Sequence, residues 1–105
     1  MFHVIGTDTY LYELSQWPKS DREAVEKLPI KLAENPYVGQ LLSYPSLREK
    51  RIKGRRIYYL VYDDLNLVLL VAISGKKDQQ ETINHIRSQL VEFRKLAEEL
   101  AKQVS

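Results

Sequence analysis

Residues 47–62 read LREKRIKGRRIYYLVY, and this stretch decides the fold. β-branched and aromatic residues lie on either side of Gly54-Arg55, a pair that suits the two-residue loop of a type II′ hairpin. We therefore predict strands over about Leu47–Lys53 and Arg56–Asp63. After a short turn, residues 67–74 read LVLLVAIS, which predicts a third strand.

The third predicted strand shows no polar alternation over its first seven residues. A strand of this kind is buried on both faces, inside a sheet. Helices packed on one side can cover only one of those faces. Another part of the chain must therefore cover the second face.

The residues before the hairpin predict an αα-hairpin. Thr7 or Asp8 can cap a first helix, which Pro18 ends. A second helix opens with Ser20 and Glu23 in capping-box spacing.

This second helix is expected to kink at Pro29, because proline removes a backbone donor and crowds the preceding turn. Asn35-Pro36 stops it, and residues 36–45 form a connecting loop. A short β-prone segment at Phe2–Ile5 precedes both helices.

Residues 79–104 predict one long C-terminal helix with an apolar seam in 3-4 spacing. The seam consists of Ile83, Ile86, Leu90, Phe93, Ala97, Leu100 and Val104, with Leu96 beside it. It can pack back on the chain's own sheet, or it can form a homodimer through the C-terminal helix.

Together these elements predict an α+β fold: an N-terminal αα-hairpin packed on an antiparallel sheet of three to four strands, plus a long C-terminal helix. The chain has 105 residues, of which 44% are hydrophobic, enough for one core. We therefore predict a single domain over 1–105, with 79–105 as a C-terminal helix extension.

The composition excludes several classes of site. Without Cys, disulfides, thiol nucleophiles and thiolate metal sites are excluded, and a reducing cytoplasm, where we expect the protein, is compatible. No signal peptide and no apolar run of roughly 18 to 20 residues occurs, so no membrane association is expected. His3 and His85 have no carboxylates at ligand spacing, so we predict no metal site and no cofactor.

Basic residues are concentrated in the hairpin. Residues 48–56 hold six of them against Glu49 alone, a local charge of +5 in a chain whose net charge is +2. They are Arg48, Lys50, Arg51, Lys53, Arg55 and Arg56. Such a run is suited to phosphate, although a solvated basic turn has the same composition.

With Gly54-Arg55 as the loop, Lys53 faces Arg56 and Arg51 faces Tyr58, which places all four side chains on one face. Like charges opposed across strands cost up to about 1 kcal/mol per pair, so a bound anion is expected there. The alternative is that the flexible side chains splay into water at the hairpin tip.

Aromatic and further basic side chains extend this face. Tyr58 beside Arg51 combines a stacking surface with a cation, the pairing used for single-stranded nucleic acid, whereas Tyr59 is expected to pack in the core. Lys76 and Lys77, at the end of the neighbouring strand, can add to the patch.

Three segments of the chain, in order, resemble the RelE/ParE toxin superfamily. They are LAENPYVG at 32–39, LREKRIKGRRIYY at 47–59 and VAISGKK at 71–77. The resemblance covers about residues 20 to 87. It implies a type II toxin–antitoxin component with a cognate antitoxin, and RelE-like members cleave mRNA on the ribosome without a metal.

The resemblance also implies roles for individual residues. Arg56 matches the family's arginine after the hairpin turn and would hold the phosphate. Arg51 and Lys53 occupy the strand where the family places basic catalytic side chains, and Lys77 stands where many members carry a second arginine. We predict additional RNA contacts from a second group: Arg48, Lys50, Arg55, Tyr58 and Lys76.

The segment after Lys77 departs from the ribonucleolytic members, several of which carry a tyrosine or histidine there. Here residues 78–84 have neither, and His85 comes later. Two alternatives follow: a ParE-like toxin that binds gyrase, or a catalytically inactive toxin-like binding module. In this family an antitoxin segment can also compete with the C-terminal helix for the apolar face of the sheet.

Overall fold

The computed structural model describes residues 1–104 as a mixed five-stranded sheet with helices on both faces. Single 3-10 turns occupy Pro36–Val38 and Asp63–Leu65. In chain order the elements are β1 (His3–Gly6), α1 (Asp8–Ser15), α2 (Lys19–Glu26), α3 (Leu28–Glu34), β2 (Gln40–Leu41), β3 (Leu47–Ile52), β4 (Arg55–Tyr62), β5 (Leu67–Ser74), α4 (Gln79–Ser88) and α5 (Leu90–Val104).

The strand order is β1-β5-β4-β3-β2, with β5, β4 and β3 at the centre. The β5-β4-β3-β2 pairs are antiparallel, as predicted, whereas β1 runs parallel to β5. The sheet therefore has five strands where three to four were predicted, because the short β1 and β2 are added at its edges. All eight residues of β5 are buried, which confirms that this strand lies inside the sheet.

The hairpin loop is Lys53-Gly54, so the predicted loop at Gly54-Arg55 was wrong by one residue. Both loop residues have positive φ, +53° and +77°, as a type I′ turn requires. Arg51 consequently pairs with Arg56 rather than with Tyr58. Because side chains alternate along a strand, Arg51, Arg56 and Tyr58 still share one face, but Lys53 moves into the turn and Glu49 takes the place opposite Tyr58.

The first helix begins as predicted, since the Thr7 side chain accepts a hydrogen bond from the Tyr10 N–H at 3.1 Å. The second begins after Pro18 without a side-chain cap, so the predicted capping box does not form. Pro29 lies in the first turn of α3 and separates α2 from α3 at Lys27, instead of only kinking one helix.

Helices α1 to α3 cover one face of the sheet. Their buried side chains interlock with alternate residues of β4 and β5. The cluster comprises Tyr10, Leu14, Val25, Leu28, Leu32, Ile57, Tyr59, Val61, Val68, Leu70 and Ile73.

Helices α4 and α5 cover the other face, so the C-terminal seam packs on the chain's own sheet. The predicted single helix is two helices that meet at Gln89, whose backbone leaves the helical conformation. Leu96 and Val104, at the margin of the seam, are each 38% exposed. The packed seam residues are Ile83, Ile86, Leu90, Phe93, Ala97 and Leu100. Within residues 1–104 we find no helix with the length and apolar character needed to cross a membrane.

Candidate nucleic-acid interface

Most of the predicted basic residues meet at one end of the sheet. Arg51, Arg56 and Ser74 form a row across β3, β4 and β5. Lys53 lies beyond that row at the hairpin tip, and Lys76 and Lys77 lie in the turn that follows β5. We call the four exposed residues of this region the basic sheet end: Arg51, Lys53, Lys76 and Lys77.

Arg56 is not part of that exposed group, because it points under α4. Its Nε lies 3.0 Å from Oε1 of Glu49, and both side chains are almost fully buried. The side-chain amide of Gln79, in the first turn of α4, donates to the same Oε1 at 3.0 Å. The Arg56 Nε–H is not aligned for a hydrogen bond despite its short distance, so the contact is an ion pair.

The ion pair between Arg56 and Glu49 changes the interpretation of the cations that oppose each other across β3 and β4. The anion expected beside the arginines is supplied by the protein itself, as the carboxylate of Glu49. With the correct register, Glu49 lies two residues from Arg51 on the same face and diagonal to Arg56. Glu49 was missed as a site residue, although it is the single acid in the basic run.

Tyr58 is fully buried on the same face, and its hydroxyl shares a hydrogen bond with Ser74 Oγ at 2.9 Å. Burial raises the pKa of the Tyr58 hydroxyl. This side chain therefore offers no stacking surface for a base, contrary to the prediction. Tyr59 packs in the core, as predicted; its hydroxyl donates to Pro36 O and accepts from the Gly39 N–H, both at 2.9 Å.

Arg48 and Arg55 also make contacts within the protein. Arg48 Nη1 donates to the carbonyl oxygens of Tyr37 and Gly39 at 3.2 and 2.9 Å, and thus holds the loop before β2. Arg55 stacks on the Trp17 ring, 4.2 Å from its centroid, on the opposite face from Arg56. Both are therefore poorer candidates for RNA contact than the sequence indicated.

The four residues of the basic sheet end have no ion pair with any residue in the described part of the chain. Long, unpaired cations on three adjacent segments can surround a phosphate from several sides. Among residues 1–104, no three His, Asp or Glu side chains are grouped to hold a metal ion. The arrangement can bind a phosphodiester and stabilise negative charge on it.

No family model matches the chain, and no curated protein matches its sequence. Its fold is nevertheless similar to solved toxin structures. The isolated RelE toxin of E. coli superposes with a TM-score of 0.65 at 18% identity, over 82% of this chain and 99% of that one. RelBE2 of Mycobacterium tuberculosis, a toxin–antitoxin complex, gives 0.64 at 22% identity, over 71% and 98%.

An archaeal RelE–RelB complex from Pyrococcus horikoshii gives a TM-score of 0.63 at 14% identity, over 71% of this chain and 94% of that one. These likenesses cover nearly the whole of each solved chain. The protein therefore has a RelE-like fold.

Proposed function

We propose that the chain is the toxin of a type II toxin–antitoxin system, and that it cleaves mRNA on the ribosome without a metal. The observation that supports this most is the basic sheet end, four unpaired cations on a RelE-like fold. Several of the similar structures are complexes of a RelE protein with a RelB antitoxin, which supports a cognate antitoxin as partner. The site of action would be the cytoplasm, where ribosomes and mRNA meet.

The proposed reaction is an in-line attack of a ribose 2′-hydroxyl on the adjacent phosphate. The 2′-hydroxyl gives its proton to water as its oxygen forms a bond to phosphorus. The bond to the 5′-oxygen breaks, and a proton passes to that leaving oxygen, which leaves a 2′,3′-cyclic phosphate. Arg51 and Lys77 would stabilise the charge on the phosphorane, and Lys53 would donate the proton. A positioned donor of this kind typically contributes about 10²–10³ to the rate.

The backbone at Lys53 supports a role for its charge. Lys53 has φ of +53°, a region that costs an L-residue about 1–2 kcal/mol and that asparagine or glycine adopts more easily. A type I′ turn that served only to connect strands would favour Asn-Gly over Lys-Gly. We attribute the lysine at this position to a contact between its ammonium group and the RNA phosphate.

We expect Lys53→Asn to raise the free energy of unfolding by about 1 kcal/mol, because asparagine tolerates the left-handed conformation of the turn. Urea denaturation measures this change. Lys76→Asn is the matched control, since Lys76 does not have a positive φ and should stay within about 0.5 kcal/mol of the parent. A lower stability for the Lys53 variant would contradict the turn geometry.

The function itself is tested by induced expression in a bacterial host, with growth curves and mapping of mRNA 5′ ends. The parent chain should arrest growth and cut mRNA, and Lys53→Asn with Lys77→Gln should reduce cleavage at least about 10²-fold. The control is Lys95→Gln with Lys102→Gln on α5, whose side chains are 68% and 75% exposed and ion-paired within that helix. Undiminished cleavage by the first variant would overturn the assignment.

A second candidate is favoured by the burial of Arg56 and Tyr58 and by the absence of Tyr or His in residues 78–84. These features fit a ParE-like toxin that binds gyrase, or a binding module without catalytic activity. Growth arrest with DNA-damage signals and intact mRNA would support the gyrase-binding toxin. Normal growth on induction would support the binding module.

A further inference from the structure

A second basic feature lies beside the sheet end, in a groove between α2–α3 and β3. Its volume is about 330 Å³, and its apolar floor is formed by Ala24, Leu28 and Ile52. Four cationic residues line it: Lys27, Lys31, Lys50 and Arg51. No acidic side chain lines the groove.

The charges in this groove are uncompensated. None of its four cations has an ion-pair partner among residues 1–104. By contrast, Arg94 on α5 is paired with Asp64, and Lys95 and Lys102 are paired with glutamates of their own helix. The groove thus differs from the surface of α5, and its unpaired positive charge attracts a polyanion.

The groove adjoins the basic sheet end at the edge of β3, because Arg51 lines the groove and its side chain belongs to the sheet end on the other face. The edge of β3 is open there, since β2 pairs only with Arg48 and Glu49. A strand of nucleic acid held at the hairpin tip can thus pass Arg51 and run along the open edge toward Lys31 and Lys27.

We propose that this groove binds the phosphodiester backbone of the RNA strand on one side of the bound phosphate at the sheet end. The inference rests on the proposed function, which it extends to two residues of the α2–α3 region, Lys27 and Lys31. Lysine ammonium groups on flexible stems neutralise phosphates without reading bases, and no aromatic ring lines the groove. The groove should consequently contribute affinity without sequence preference.

The test uses the full chain and a 12-nucleotide single-stranded RNA, with dissociation constants measured at four salt concentrations. Each phosphate contact to a single strand contributes about −0.7 to the slope of log K against log salt. Lys27→Gln with Lys31→Gln should make the slope shallower by about 1.4 and weaken binding about 10- to 30-fold at 0.1 M salt. Lys95→Gln with Lys102→Gln removes the same charge elsewhere. This control should leave the slope unchanged and should change the dissociation constant by less than about twofold.

An unchanged slope in the Lys27 and Lys31 variant would overturn the proposal. The second probe is a poly-glutamate peptide with the same charge as the RNA. Tighter binding of this peptide than of RNA, lost in the Lys27 and Lys31 variant, would identify the groove as a site for an acidic protein segment. The RNA proposal would then fail. Failure of the proposed function would look different. In that case the cells would retain intact mRNA, even if the purified protein binds the RNA oligonucleotide in vitro.

Discussion

Replacing Arg56 with alanine is expected to lower the free energy of unfolding by about 3–5 kcal/mol, because it leaves the buried Glu49 carboxylate without its cation. The helix α4 covers this pair, so water does not reach Glu49 easily. Urea denaturation at pH 7 measures the loss. Arg51→Ala is the control: Arg51 pairs with Arg56 across the strands but is exposed, and its removal should change stability by less than about 0.5 kcal/mol.

A double variant separates the effect of the unpaired charge from that of lost packing. Glu49→Leu together with Arg56→Met removes both charges and should recover most of the stability, since a buried ion pair is often replaceable by apolar side chains. A loss below about 1 kcal/mol in Arg56→Ala would show that the pair is not buried in solution. The large expected loss also means that reduced toxicity in this variant is no evidence that Arg56 acts on RNA.

Alkaline pH is expected to destabilise the protein by about 4 kcal/mol between pH 10 and pH 12. Burial raises the pKa of the Tyr62 hydroxyl to about 12. The pKa of the Tyr10 hydroxyl is also raised to about 12, mainly by burial and to a lesser extent by the nearby Glu26 carboxylate. In the unfolded chain these hydroxyls ionise near pH 10. The stabilisation is thus complete well below pH 10 and is largely lost by pH 12, at about 2 kcal/mol for each tyrosine.

Substitution of single tyrosines tests the source of this loss in urea titrations at pH 7, 10 and 12. Tyr10→Phe should remove about half of the alkaline destabilisation. It should cost little at pH 7, because the Tyr10 hydroxyl is buried with no hydrogen-bond partner among residues 1–104. Tyr12→Phe is the control, since Tyr12 is 68% exposed. A parent protein equally stable at pH 10 and 12 would contradict the burial of both hydroxyls.

The sequence predicts the strands better than it predicts their pairing. The unbroken apolar run of β5 is a strong local signal, and its bounds agree with the structure. The hairpin register depends on one choice, between a loop at Gly54-Arg55 and one at Lys53-Gly54. Lys53 adopts a positive φ, which its residue type does not indicate, so the loop moves by one residue and each cross-strand partner changes by two: Arg56 pairs with Arg51 rather than with Lys53.

For the candidate site, the sequence likewise predicts some features and not others. Arg51, Lys53, Lys76 and Lys77 lie at the same end of the sheet, because the ends of β3 and β5 flank the start of β4. The burial of Arg56 and Tyr58 could not be predicted, since it depends on where α4 lies on the second face. Helical periodicity shows that such a helix has an apolar side but not which strand residues it covers.

The two outermost strands bear on how the chain avoids self-association. The LVLLVAI segment of β5 combines β-branched and leucine residues without charge, the composition of an aggregation-prone segment. In the fold it is flanked by β4 on one side and β1 on the other, and the edges of the sheet are the four-residue β1 and the two-residue β2. Edges this short offer another chain few unpaired backbone groups, and the open part of β3 carries repelling positive charge. The position of β5 inside the sheet thereby prevents this aggregation-prone strand from pairing with a strand of another molecule.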